Sequence, residues 1–273
     1  MKYLFFDVDG TLYSHNTGLV PSAKKAIEET RAKGNKCFIA TGRHLGSLDS
    51  VKDLEVDGII FCNGGGIYMD GKVIDHQPIP HDILSSTVFA FEEREGGYSL
   101  MSDDKAFVNE LEVRRRKRQI QMEEGMPPFE QMVKELGLRP FTEYRNDEIL
   151  KIDIGFASEE IMSDFLTVMN PQLKLASTAG YNISLGKRSG EITRVDVNKG
   201  TAIERLMKLV GGKMEDTYAF GDSNNDLEML EMAGTGIAMG NGFAEVKLAA
   251  DFITRDIDDD GIAYAMHHFG LID

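Results

Sequence analysis

The sequence predicts an α/β protein, a doubly wound parallel-sheet core interrupted by an inserted α+β domain. Short apolar runs alternate with helical patterns through the first third of the chain, the rhythm of repeated βα units with right-handed crossovers. That rhythm breaks near Pro78–His81 and returns near residue 190, and the stretch between is richer in Met and charge. At 273 residues the chain is long for one compact domain and comfortable for two. The expected division is 1–80 and 189–273 for the core and 81–188 for the insert.

Each element has a local reason. Tyr3–Phe6 is an apolar strand, and Pro21-Ser22 starts a helix over Ser22–Lys33 that Gly34 stops. Lys36–Ala40 reads as the second strand, followed by a helix near Leu45–Leu54 and a third strand over Gly58–Cys62. Asp70-Gly71 between Ile67–Met69 and Lys72–Ile74 is a two-residue hairpin signal. In the insert, Ile83–Glu95, Glu110–Glu124, Pro128–Leu136 and Glu159–Met169 carry helical patterns, while Leu150–Phe156 and Tyr181–Leu185 read as strands. The βα rhythm then resumes. Helix Gly200–Val210, strand Thr217–Phe220, a helix near Asn225–Met232 and strand Thr235–Met239 come first. Helix Phe243–Ala249, strand Phe252–Thr254 and a last helix from about Ile262 complete the chain.

Composition narrows the class of function. The formal charge is −15, from 30 Lys and Arg against 45 Asp and Glu, so nucleic acid and anionic membrane are disfavoured as partners. No apolar run approaches the ~18 residues of a membrane span. The first residues enter a strand directly, without the pattern of a secretory leader. Cys37 and Cys62 both lie in apolar runs and read as buried thiols in a reducing compartment, the cytoplasm by default.

The chemistry gathers where core strands end. The first strand stops in Asp7-Val8-Asp9-Gly10-Thr11, placing two carboxylates, a tight turn and a hydroxyl at one tip. Carboxylates held that close repel unless a cation or shared proton compensates, so the arrangement asks for a divalent metal. Thr41-Gly42-Arg43 closes the second strand, Asn198-Lys199-Gly200 opens a helix, and Gly221-Asp222-Ser223-Asn224-Asn225-Asp226 closes the strand Thr217–Phe220. In a doubly wound sheet these tips converge on one edge.

Taken together, DVDGT (7–11), IATGR (39–43), VNKG (197–200) and GDSNND (221–226) resemble the four ordered motifs of the haloacid dehalogenase superfamily of phosphatases. The tail AEVKLAADFITRDIDDDGIAYAM looks like that of the Cof-type branch. The long interval between Thr41 and Lys199 holds the insert and resembles a type C2 cap on a Rossmann-like core. The resemblance implies that Asp7 attacks phosphorus to form an aspartyl-phosphate and that Asp9 serves as general acid and base. It implies Mg²⁺ on Asp7, the backbone carbonyl of Asp9, and Asp222. Thr11, Thr41, Gly42, Arg43, Asn225 and Lys199 are then expected around the phosphate, with Asp226 orienting Lys199 and the metal waters. The implied ligand is a small phosphorylated metabolite, a sugar phosphate foremost. A phosphosugar mutase and a non-catalytic phosphometabolite sensor share this reading of core and cap and stay open at this stage, as does the oligomeric state.

Other signals have plainer readings. Asp256–Gly261 matches the first half of a calcium loop, but His267 stands where the bidentate Glu belongs. A solvated acidic turn before a helix is favoured. Arg114–Arg118 is a basic run in an acidic chain; a solvated helix face opposed by Glu110, Glu112, Glu123 and Glu124 is favoured over a nucleic-acid or localisation signal, and a third reading has part of the run facing the active site to meet an anionic substrate.

Overall fold

A computed structural model describes residues 1–14, 16–122, 128–176 and 188–273. The chain forms two compact units, one of Met1–Gly42, Ser50–His76 and Asp196–Asp273, the other of Arg43–Asp49 and Gln77–Val195.

In the first unit the described residues build an eight-stranded sheet. Its order is Phe252–Ile253, Thr235–Ala238, Thr217–Gly221, Tyr3–Phe6, Lys36–Ala40, Gly58–Phe61, Gly66–Met69 and Lys72–His76. The first six strands pair parallel, and the hairpin around Asp70-Gly71 adds two antiparallel strands at one edge. The central strand is buried along its whole length, as a parallel strand covered on both faces must be. Phe5 stacks on Phe38 at 5.1 Å on one face, over Ile203, Leu206 and Met207 of the helix Lys199–Val210. Phe6 stacks on Phe220 at 4.8 Å on the other. Each such ring contributes roughly 1.5–3 kcal/mol through its burial. The register sets the site: Phe6 pairs with both Phe220 and Ile39, so Asp7 stands level with Gly221 and Ala40.

In the second unit the sheet order is Leu138–Pro140, Ala106–Val108, Gly97–Met101, Lys151–Gly155, Ser189–Arg194 and Leu173–Ala176, with antiparallel pairing except between the first two. Tyr98, Leu100, Ile152, Ile154 and Ile192 face Phe91 and Phe165 of the helices His81–Glu92 and Glu159–Val168. Ser99, Asp153 and Glu191 lie on the opposite, polar face, paired through Asp153. Lys151 is buried there between Glu191 and Asp153.

Several elements differ from the sequence expectation. The helix expected near Leu45–Leu54 is two short 3₁₀ turns, Leu45–Ser47 and Asp49–Val51. Gly46 and the Ser and Asp residues are poor helix formers, and the Leu45 amide donates to the Asp103 carbonyl at 2.7 Å. The units part after His76 and Val195 rather than at 80/81 and 188/189. Ile79 is already bonded to Ile149 in the second unit, and Ser189–Arg194 is an interior strand of its sheet. The strands at Gly97–Met101 and Ala106–Val108 carry no alternating pattern in the sequence, because they are buried nearly throughout. The strand expected at Tyr181–Leu185 lies outside the described residues. Among those residues, no helix is long and apolar enough to cross a membrane.

The basic run proves structural in part. Arg114 is exposed and pairs with Glu110 at 3.0 Å, as a solvated face would. Arg115 and Arg116 instead converge on buried Glu112 at 2.5 and 2.7 Å. Burial raises the Glu112 carboxyl, but Arg116 and Arg115 outweigh it and hold the group below its usual range. A depressed pKa contributes stability above the unfolded value, lost as pH falls through the folded one. Glu112→Gln is therefore expected to cost about 2–4 kcal/mol at neutral pH, less than a fully buried pair because both guanidinium groups keep some solvent. Urea unfolding should show that gap closing below about pH 4, where the wild-type carboxylate is itself lost.

Candidate active site

Lys199 is the meeting point of the predicted residues. It stands at the first position of the helix Lys199–Val210, opened by a capping box in which Asn198 accepts from the Thr201 amide at 2.8 Å and Thr201 Oγ1 accepts from the Asn198 amide at 3.1 Å. Its Nζ donates to Asp7 Oδ1 and to Asp226 Oδ1, both at 2.5 Å, and all three side chains are buried. Gly200 makes this approach possible, because a Cβ there would meet the Glu228 carbonyl at 2.5 Å and Met232 Sδ at 2.7 Å. Burial lowers the affinity of Lys199 for its proton, but Asp226 and Asp7 more than restore it, so the ammonium is retained.

Asp226 is held from its other side. Its Oδ2 accepts from the backbone amides of Asp222 and Ser223, each at 3.0 Å. Asp222 Oδ1 accepts from Thr11 Oγ1 at 2.8 Å. One carboxylate oxygen from each of Asp7, Asp222 and Asp226 lies within 4.8 Å of the others, the one such acidic cluster found among the described residues. Burial pushes Asp7 well above the usual carboxylate range; Lys199 opposes this, while Asp226, Asp222 and Asp9 add to it. Burial and then Asp226 push Asp222 up to about 7, against Thr11 and Lys199.

This donor set fits a divalent cation. Fully ionised, the three carboxylates exceed the single ammonium by two negative charges, and every ligand atom is a hard oxygen. Asp226 is spent on Lys199 and two amides, so Asp7 and Asp222 are the carboxylates left to face an ion.

The remaining predicted residues fall as follows. Asp9 lies in the turn after Asp7, bridged to Tyr13, near enough to raise both Asp7 and Asp222. Gly10 has φ +86°, and a Cβ there would meet Asp222 Oδ2 at 2.4 Å, so only glycine lets the two acidic loops touch. Thr11, expected on the phosphate, gives its hydroxyl to Asp222 instead. Thr41 is buried, with its amide on Ile60 and its carbonyl accepting from Asn63. Asn225 Nδ2 donates to Asn63 Oδ1 at 3.2 Å, and a Cβ on Gly42 would meet that same oxygen at 2.9 Å. Arg43 falls in the second unit, where its guanidinium donates to the Ser47 carbonyl at 3.1 Å. Ser223 was missed; its hydroxyl donates to Asn225 Oδ1 at 2.6 Å and holds that amide.

Comparison with known proteins agrees with this geometry. The family model for haloacid dehalogenase-like hydrolases matches residues 4–266. YkrA of Bacillus subtilis (strain 168), a candidate phosphatase, is 28% identical over 99% of this chain and 98% of its own length. From the same organism, the 5-amino-6-(5-phospho-D-ribitylamino)uracil phosphatase YcsE is 27% identical, over 99% of this chain and 96% of its own. The solved structure of the subclass IIB sugar phosphatase BT4131 matches with TM-score 0.80 and 30% identity, both chains covered in full. The four motifs, the carboxylates gathered around Lys199 and the match along nearly the whole chain place this protein among the haloacid dehalogenase-like hydrolases, as a phosphatase of the Cof type.

Proposed function

We propose that the enzyme is a Mg²⁺-dependent phosphatase that hydrolyses phosphomonoesters of small metabolites, sugar phosphates foremost, through an aspartyl-phosphate on Asp7. The observation that carries this reading is the buried Asp7–Lys199–Asp226 ion pair with Asp222 beside it. The sugar-phosphate class draws support from two relatives, one named a sugar phosphatase and one acting on a phosphorylated ribityl chain. Free, buried Cys37 and Cys62 fit a reducing cytoplasm.

The residues divide the work. Asp7, Asp222 and the Asp9 carbonyl would hold Mg²⁺, whose charge offsets that of the incoming phosphate dianion. An Asp7 carboxylate oxygen attacks phosphorus while the ester P–O bond breaks, and Asp9 gives its proton to the departing alkoxide. Asp9, now a carboxylate, takes a proton from water as that water attacks phosphorus. The P–O bond to Asp7 breaks, inorganic phosphate leaves and Asp7 is restored. An ammonium has three donors, and Lys199 spends two on Asp7 and Asp226, leaving the third for a phosphoryl oxygen. Thr41 and Gly42 complete the cradle where charge spreads in the transition state.

Phosphate release from a panel of sugar phosphates, nucleotides and cofactor phosphates tests the reading. Release should require Mg²⁺, stop with EDTA and vanish in Asp7→Asn; release that persists in EDTA or in the variant would contradict it. Asp226→Asn keeps the shape of the side chain but halves the carboxylate charge on Lys199. It is expected to lower kcat about 10²–10³-fold, the scale of losing one preorganised charge contact. Steady-state kinetics on the best panel substrate would check that figure.

A further inference from the structure

The loop after the strand Thr235–Ala238 reaches back to the catalytic turn. Asn241 lies on it, exposed, between Gly240 and Gly242. Its Nδ2 donates to the Gly10 carbonyl at 2.7 Å, and its Oδ1 accepts from the Ile257 amide at 2.9 Å. One bond needs a donor and the other an acceptor, so only a carboxamide satisfies both and its orientation is fixed. Gly10 is the left-handed residue immediately after Asp9, and its amide donates to Tyr13 at 3.0 Å. Asn241 thus pins the Gly10–Thr11 peptide, the unit that follows the left-handed residue next to Asp9.

The strut has a foundation on its other side. Asp256 Oδ1 accepts from the Asp258 amide at 3.0 Å, which shapes the backbone that offers the Ile257 amide. Asp258 in turn accepts from Asn16 Nδ2 at 2.7 Å, beyond the same turn. On the near side, the Phe243 amide donates to the Asp222 carbonyl at 2.9 Å, so the Asn241 loop also abuts the second acidic loop. The acidic step that half-matches a calcium loop serves here as a brace.

We propose that Asn241 is a positioning residue for the proton transfers of Asp9, acting through the Gly10 carbonyl; this rests on the reading of Asp9 as general acid. An alkoxide leaving group needs that acid, whereas p-nitrophenolate departs without one. Loss of the strut should therefore hurt the first transfer, read as kcat/KM, unequally for the two substrate types, which a loss of stability would not do. The ratio of the two rates is also independent of how much of a preparation is folded.

The experiment compares wild type, Asp9→Asn, Asn241→Asp and Asn241→Ala on p-nitrophenyl phosphate and on the sugar phosphate that wild type turns over fastest, at saturating Mg²⁺. Asn241→Asp keeps the acceptor for Ile257 and removes the donor to Gly10; the alanine variant removes both. Both should lose about tenfold or more in kcat/KM on the sugar phosphate, part of the ~10²–10⁴ that a placed acid supplies to the first transfer. On p-nitrophenyl phosphate kcat/KM should stay within about threefold, since the first transfer to Asp7 has no acid catalysis to lose there, while kcat falls on both substrates through the shared second transfer, in which Asp9 is the base. Equal losses of kcat/KM on both substrates, or none on either, would overturn the proposal. If Asp9→Asn is selective in kcat/KM and the Asn241 variants are not, only this inference falls; if Asp9→Asn is itself unselective in kcat/KM, the reading of Asp9 as general acid falls with it.

Discussion

A buried ammonium between two buried carboxylates is the constraint on which the rest of the core depends. An unpaired lysine at full burial would shed its proton, and an unpaired carboxylate would take one up. Lys199 stays charged because Asp7 and Asp226 reach it from two other elements, 192 and 27 residues away in sequence. That requirement fixes how far the central strand runs, where the helix after the insert begins, and how the loop after Thr217–Gly221 turns. Buried ion pairs are weak evidence of stability, since their desolvation cost can match their attraction. Here the pair makes better sense as chemistry: it orients one oxygen of Asp7 and leaves a donor of Lys199 for an anion.

The charge balance links this pair to the proposed divalent cation. Lys199 neutralises only part of the cluster, and Asp222 remains with a carboxyl pushed up to about 7 by burial and by Asp226. Packing enforces that crowding. Gly10 removes the Cβ that would hold Asp222 away, and Thr11 bonds the same carboxylate from the neighbouring position. Gly10 and Thr11 thus serve close approach and orientation of the Asp222 carboxylate, and on the proposed mechanism Asp9 beside them serves proton transfer.

Much of this was legible in the sequence, because each charged residue follows an apolar strand or opens a helix, and strand tips converge in a parallel sheet. Asp7, Lys199, Asp222 and Asp226 could be placed for that reason. Thr11 was assigned to the phosphate because nothing in one sequence says which oxygen a hydroxyl meets. Asn241 stayed hidden because its partner is a backbone carbonyl 231 residues away, and Gly-Asn-Gly looks like an ordinary turn. The inserted unit was least legible. Its short strands are buried nearly throughout, so the period of two is absent, and Glu112 looked like one more surface charge.

The central claim is that Asp7 is the nucleophile, and trapping its phosphoryl group tests that claim most directly. Asp9→Asn mixed with excess p-nitrophenyl phosphate and Mg²⁺ should complete the first transfer, which needs no acid, and stall at the second, which needs a base. The account predicts a burst of one p-nitrophenolate per active site and, after acid quench, a phosphoryl group on the peptide carrying Asp7. A linear release without a burst, or a phosphoryl group on any other residue, would contradict it.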